Sequence, residues 1–168
     1  MKEINIRKAP QITSPNPLTL ICTEKPDGCV NLAPVSFVSY LAFNPPIMGF
    51  AMGQKSYTGQ RVRETGKAVI TVPGTALAEA AMSCGSCSGR DTDKAGKFGI
   101  ELASLPDSSI RIPADTALAL TVSLKETVEV GDHYLYICNV DKVYSDDTKE
   151  PLFAWNGYSC LAPAQKKA

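Results

Sequence analysis

The stretch that most restricts the fold runs from Ala117 to Val130. Leu118, Leu120, Val122, Leu124, Val128 and Val130 fall on one parity, and Ala119, Thr121, Ser123, Lys125 and Glu129 on the other. Successive side chains leave a β-strand on opposite sides, so this alternation predicts a strand with one face buried and one wet. Gly131-Asp132 then turns the chain, and His133 to Tyr144 reads as a second long strand that pairs back.

The other elements follow from similar signals. Leu18 to Thr23 is rich in branched residues and reads as a strand; Lys25-Pro26-Asp27-Gly28 is a turn, and Cys29 to Leu32 completes a hairpin. Val35 to Phe43 reads as a longer strand whose imperfect alternation predicts cover on both faces. Asn44-Pro45-Pro46 ends it, because proline gives a ladder no donor, and Ile47 to Met52 is the next strand. After the polar turn Gly53 to Tyr57, a helix is expected from Thr58 to Glu64, stopped by Gly66 in the left-handed conformation. Ala68 to Val72 is a strand ended by Pro73-Gly74. Thr75 is placed to cap a second helix carrying Leu77, Ala80 and Ala81 at helical spacing.

The remaining segments carry weaker patterns. Residues 1–14 read as an N-terminal arm, extended over Ile4 to Ile12. Residues 82–113 read as an excursion over the surface, tacked down by Phe98 and Ile100. Leu152 to Tyr158 is a short final strand, and Gln165 to Ala168 a frayed tail. With no repeat and no linker, residues 1–168 form one domain. It is mainly β with short α-helices, arranged as a closed or nearly closed antiparallel barrel.

Composition narrows the function. Lys and Arg total 17, as do Asp and Glu, so bulk charge does not draw the chain to nucleic acid. No apolar run approaches the ~20 residues that span a bilayer. The charged start MKEINIRKAP lacks a signal-peptide core, so a cytoplasmic protein is expected, without a membrane partner. In that setting the 6 cysteines suggest buried thiols, metal ligands or redox groups rather than disulfides. Cys22, Cys29, Cys138 and Cys160 lie in strand-like or apolar context and read as small buried hydrophobes. Cys84-Gly85-Ser86-Cys87 is a C-x-x-C, a pattern used for redox work or as half of a zinc site. Zinc would need a second close ligand pair, and a thioredoxin-type pair would precede a helix in a βαβ unit; the sequence shows neither, and no metal is expected.

Three places could carry chemistry. Lys55, Ser56 and Thr58 stand at the start of the first predicted helix, where unpaired amides and the helix dipole favour an anion such as phosphate. Ordinary capping beside a solvated lysine is the plain alternative. Asn31 to Ser36 offers small residues, a proline and a hydroxyl where two strands meet, so a flat ring could approach the backbone; a simple β-turn is the alternative. His133 is the single histidine and titrates near neutrality unaided, although a lone histidine at a strand start is more often a surface residue.

In order and spacing, a set of landmarks resembles the flavin reductase-like, FMN-binding split-barrel proteins, and the flavoredoxin-type members among them. The landmarks are Asn16-Pro17-Leu18, Asp27-Gly28, Asn31-Leu32-Ala33-Pro34-Val35-Ser36-Phe37, Pro45-Pro46, Lys55-Ser56-Tyr57-Thr58, Glu64-Thr65-Gly66, Ser88-Gly89-Arg90-Asp91 with Asp93-Lys94, and Gly131-Asp132-His133. The resemblance runs from about Asn16 to Tyr158. It implies a homodimeric, six-stranded Greek-key split barrel with FMN near the dimer interface. It implies Lys55, Ser56 and Thr58 on the phosphate, and Ala33, Pro34, Val35 and Ser36 along the isoalloxazine with Asn31 nearby. His133, the implied catalytic residue, would sit near the flavin or the nicotinamide.

The resemblance further implies hydride transfer from NADH or NADPH, or electron carriage, to a small-molecule or protein acceptor. The flavin would supply the redox chemistry, in keeping with the lack of paired carboxylates or a nucleophile–base pair. Use of the barrel as a flavin-free binding module is the alternative. The sequence departs from the family pattern at Arg61, where many members carry asparagine and where a phosphate contact is open, and at Thr71 and Cys138. The C-x-x-C is not a general family feature.

Overall fold

A computed structural model describes residues 1–164; the expected frayed tail, Gln165 to Ala168, lies outside the described residues. The strands are β1 (Thr19–Glu24), β2 (Val30–Val35), β3 (Val38–Phe43), β4 (Pro46–Gly53), β5 (Lys67–Pro73), β6 (Leu102–Leu105), β7 (Ser108–Pro113), β8 (Thr116–Val130), β9 (His133–Ser145), β10 (Leu152–Trp155) and β11 (Cys160–Pro163). Seven form the main antiparallel sheet, in the order β2-β1-β5-β8-β9-β4-β3; β6 pairs with β7, and β10 with β11.

The two edges of the main sheet, β2 and β3, are separated in sequence only by Ser36 and Phe37. Seven flat strands would be about 29 Å wide, and so short a link reaches about 11 Å. The sheet therefore curls until its edges meet, and the Phe37 carbonyl accepts the Ala51 amide of β4 at 2.8 Å. This is an open, split barrel. Its β2–β3 ribbon bends from one edge to the other, and counted once it leaves six strands.

That bend corrects the expected strand over Val35 to Phe43, which breaks at Ser36-Phe37. The expected cover on both faces is also absent: Ser39, Tyr40, Leu41 and Phe43 are exposed, because β3 is an edge strand. The barrel interior holds Ile21, Met48, Phe50, Ile70, Leu120 and Tyr136, with the Phe50 and Tyr136 rings stacked 5.1 Å apart. Each such side chain contributes roughly 2 kcal/mol on burial.

A second core lies outside the barrel and overturns the reading of residues 82–113 as a surface excursion. Cys84, Ala95, Ile100, Ile110 and Ile112 are buried against Cys22, Leu32, Val69 and Ala119. The segment contains the end of α3 (Ala78–Cys84), α4 (Lys94–Lys97) and the β6–β7 hairpin. Its cover also changes the reading of β8. Ala119 and Thr121, on the parity expected to be wet, are buried, whereas Val130, on the parity expected to be buried, is 44% exposed. Two register shifts interrupt the alternation, and the far end of β8 extends beyond the layer that covers its start.

The helices need smaller corrections. The arm is not extended: a 3₁₀ turn over Ile6–Lys8 leads into α1 (Ala9–Ile12), where Pro10 takes a first-turn position that needs no amide. α2 (Tyr57–Thr65) starts at Ser56 and ends at Gly66, whose φ of 69° is the left-handed cap the sequence predicts. Thr75 does not cap α3; it opens a 3₁₀ turn, and the Asp115 carboxylate accepts the Ala76 amide at 2.9 Å. Cys22 and Cys138 are buried as expected, but Cys29 and Cys160 are exposed, at the start of a hairpin return and on a two-stranded edge. Among the described residues no helix is long and apolar enough to cross a membrane.

Candidate functional site

The β2–β3 bend forms one wall of a cleft of about 670 Å³, lined by Pro34, Val35, Ser36, Phe37, His133 and Tyr158 among others. The Phe37 ring lies 5.7 Å from that of His133 and meets Tyr158 edge-on at 6.4 Å. His133 is held by strand register, opposite Val130 of β8 and Gly53 of β4. Its Nδ1 lies 2.7 Å from the Asp132 carboxylate, and that hydrogen bond holds the Asp132 carboxyl below its ordinary range. An ionised carboxylate only accepts, so Nδ1 carries the proton and Nε2 is left for other partners.

A second cleft of about 280 Å³ adjoins the first: Pro34, Ser56 and Gly85 line both. Ala33, Lys55, Thr58, Ser88, Gly89 and Lys94 also border it, with Cys84 and Cys87, and no acidic side chain is in its lining. It sits at the start of α2. The Ser56 hydroxyl accepts the Gly59 amide at 3.2 Å, and Tyr57 and Thr58 supply first-turn amides that have no partner within the helix. Lys55 is exposed at its rim.

Behind this cleft the polar groups are buried. Asn31 Nδ2 donates to the hydroxyls of Thr58, at 2.8 Å, and Thr23, at 3.1 Å. Among the described residues Asn31 Oδ1 is buried without a hydrogen-bond partner, and the Gly89 backbone packs so closely that a Cβ there would overlap it. Lys94 is 3% exposed; its ammonium donates to the carbonyls of Leu32 at 2.7 Å and Cys84 at 2.6 Å. Burial lowers the Lys94 pKa. Burial also pushes the Cys84 thiol up to about 11, despite the nearby ammonium, so Cys84 is a poor thiolate at neutral pH. Arg90 places its guanidinium 5.0 Å from the centre of the Tyr57 ring and donates to Gln60 Oε1 at 2.7 Å, pinning the Ser88-Gly89-Arg90 loop to α2.

The structure thus brings together most residues singled out in the sequence. Pro34, Val35, Ser36 and His133 face the larger cleft, and Ala33, Lys55, Ser56 and Thr58 the smaller. Asn31 stands behind the smaller cleft. Arg61 is not brought in: its Nε donates to the Glu24 carbonyl at 2.8 Å and its guanidinium pairs with Glu64. Sequence reasoning did not assign Phe37, Tyr158 or Lys94 to a site. Lys94 lay in the Asp93-Lys94 landmark, but nothing local showed that it would be buried beside the start of α2, far earlier in the chain.

The fold matches flavoredoxin of Desulfovibrio vulgaris (Miyazaki F) with a TM-score of 0.83 at 19% identity, covering 100% of this chain and 96% of that one. It matches an FMN-binding protein from Thermus thermophilus with a TM-score of 0.82 at 19% identity, covering 100% and 97%. It also matches the NADH:FAD oxidoreductase SgcE6 of Streptomyces globisporus C-1027 with a TM-score of 0.82 at 13% identity, covering 99% of each chain. At these identities the likeness is one of fold. The family model described as "Flavin reductase like domain" matches residues 13–161, nearly the whole chain, and this protein belongs to the flavin reductase-like family.

Proposed function

We propose that this chain is an FMN-dependent oxidoreductase, reduced by NADH or NADPH, that passes electrons to a small-molecule or protein acceptor. One observation carries the reading: Pro34 and Ser56 border both clefts, so a ring-sized space with aromatic walls opens onto a space suited to an anion. A flat ring with a phosphate-bearing tail fits that pair. The acid-free lining of the smaller cleft favours a phosphate there.

When bound, the flavin supplies the hydride and electron chemistry. The chain's own residues bind and orient it. Lys55, the Ser56 and Thr58 hydroxyls and the first amides of α2 hold the phosphate. Ala33 to Ser36 would lie along the ring, and Phe37 and Tyr158 would shield it from water. His133, fixed by Asp132 through Nδ1, presents Nε2 to the ring or to the nicotinamide.

The reading includes a homodimer in the cytoplasm. Tyr40, Leu41 and Phe43 on the edge strand β3 are 57%, 47% and 84% exposed, an apolar strip that a second copy would cover. The test is reconstitution with FMN, FAD and riboflavin, followed by anaerobic titration with NADH and NADPH. Uptake of FMN and bleaching of its absorption band support the proposal. Uptake without bleaching makes the protein an electron carrier, and no uptake of any flavin removes the proposal.

A further inference from the structure

We propose that Lys94 is the buried cation of the smaller cleft, built to meet a phosphate monoester dianion, and that it gives this chain its preference for FMN over riboflavin. The inference rests on the flavin reading for its ligand, but its anion site is argued from the chain itself.

Lys94 opens α4, and the carboxylate of its neighbour Asp93 is turned into the same helix, accepting the Gly96 amide at 3.2 Å. The Lys94 ammonium has three N–H donors. Two go to main-chain carbonyls, of Leu32 in β2 and Cys84 at the end of α3. Among the described residues the third has no protein acceptor, and Lys94 forms no ion pair. A buried ammonium is costly unless an opposite charge meets it, and two neutral carbonyls do not supply one. Cys84, whose thiol bears electrostatically on the ammonium, is held in its neutral form by burial.

Lys94 faces the same cleft as Lys55, Ser56 and the start of α2, where there is no acid. A dianion there would meet one buried cation, one exposed cation and the unpaired amides of a helix. Of the two lysines, the buried one is less screened by salt and water. It should therefore discriminate more strongly between ligands with and without a phosphate.

A lysine that served only as a strut between β2 and α3 would act differently. Its loss would lower stability and weaken every flavin alike. The experiment compares dissociation constants of FMN and riboflavin for the full chain, Lys94→Met and Lys55→Met. Lys94→Met should weaken FMN by about tenfold or more while riboflavin changes little, with a smaller effect for Lys55→Met. An unchanged FMN-to-riboflavin ratio in folded Lys94→Met overturns the proposal.

Should that variant not fold, the unaltered protein still answers. Inorganic phosphate, titrated against chloride at constant ionic strength, should shift the Nζ resonance of isotope-labelled Lys94. No shift at phosphate concentrations that compete with FMN overturns the assignment. A phosphate-dependent shift in a protein that binds no flavin would keep the anion site and remove the flavin reading.

Discussion

Asn31 Nδ2 donates to the Thr58 hydroxyl over 2.8 Å, joining β2 to the first turn of α2 across 27 positions of sequence. Asn31 is 1% exposed and Thr58 3%, so the bond is shielded from water. It ties β2, whose Pro34 and Val35 border the larger cleft, to the start of α2, which borders the smaller. Asn31→Ala would leave the buried hydroxyls of Thr23 and Thr58 without their donor. The expected cost is about 2 kcal/mol of stability by urea denaturation, with weaker FMN binding.

Gly89 gives the complementary test. An added methyl group would collide with the Asn31 amide, which has no free space to enter. Gly89→Ala should destabilise by about 1–3 kcal/mol and lower FMN affinity. Gly28→Ala is the control: its methyl would meet nothing within 4 Å, although a φ of 80° there adds strain, so FMN affinity should hold while stability drops slightly.

Phe37 and His133 should separate binding from turnover. The two rings lie 5.7 Å apart on the wall of the larger cleft, and neither lines the smaller one. His133→Ala and Phe37→Ala should retain FMN within a few-fold and slow its reduction by NADH or NADPH, measured by anaerobic stopped flow. A loss of FMN affinity as large as that of Lys94→Met would place these rings in binding instead.

The edge strand should set the oligomeric state. Phe43 is 84% exposed, with its ring stacked on Tyr40 at 6.0 Å. Phe43→Glu would put a charge in the proposed dimer contact, and sedimentation should show a shift from dimer to monomer. The thermal midpoint of the monomer should then no longer depend on protein concentration.

Buried thiols predict an alkaline loss of stability. Burial raises Cys22 and Cys138 to about 12 and Cys84 to about 11, from the ordinary thiol value of 9.0. Above pH 9 the unfolded chain releases these protons and the folded chain keeps them. Their contribution is therefore full below that pH and is lost as pH rises through the folded values. Each buried thiol should lower stability by about 1 kcal/mol per pH unit in that window, read from urea midpoints. Cys138→Val should flatten the dependence.

The sequence by itself determined the local elements. Alternation located β8 and β9, proline ended the ribbon before β4, and Gly66 stopped α2, because strand period, missing donors and left-handed glycine act over a few residues. The resemblance named the walls of the site for the same reason, as short motifs in order. Only the tertiary structure decided what covers what. It bent the chain at Ser36-Phe37 so that β2 and β3 became opposite edges, and it laid residues 82–113 over the barrel as a second core. That layer buried Ala119 and Thr121 against their parity. The tertiary structure also carried Lys94 beside Leu32 and Cys84, and brought the Glu24 carbonyl to Arg61. Burial and long-range hydrogen bonds depend on elements dozens of residues away, and no local pattern encodes which of them will arrive.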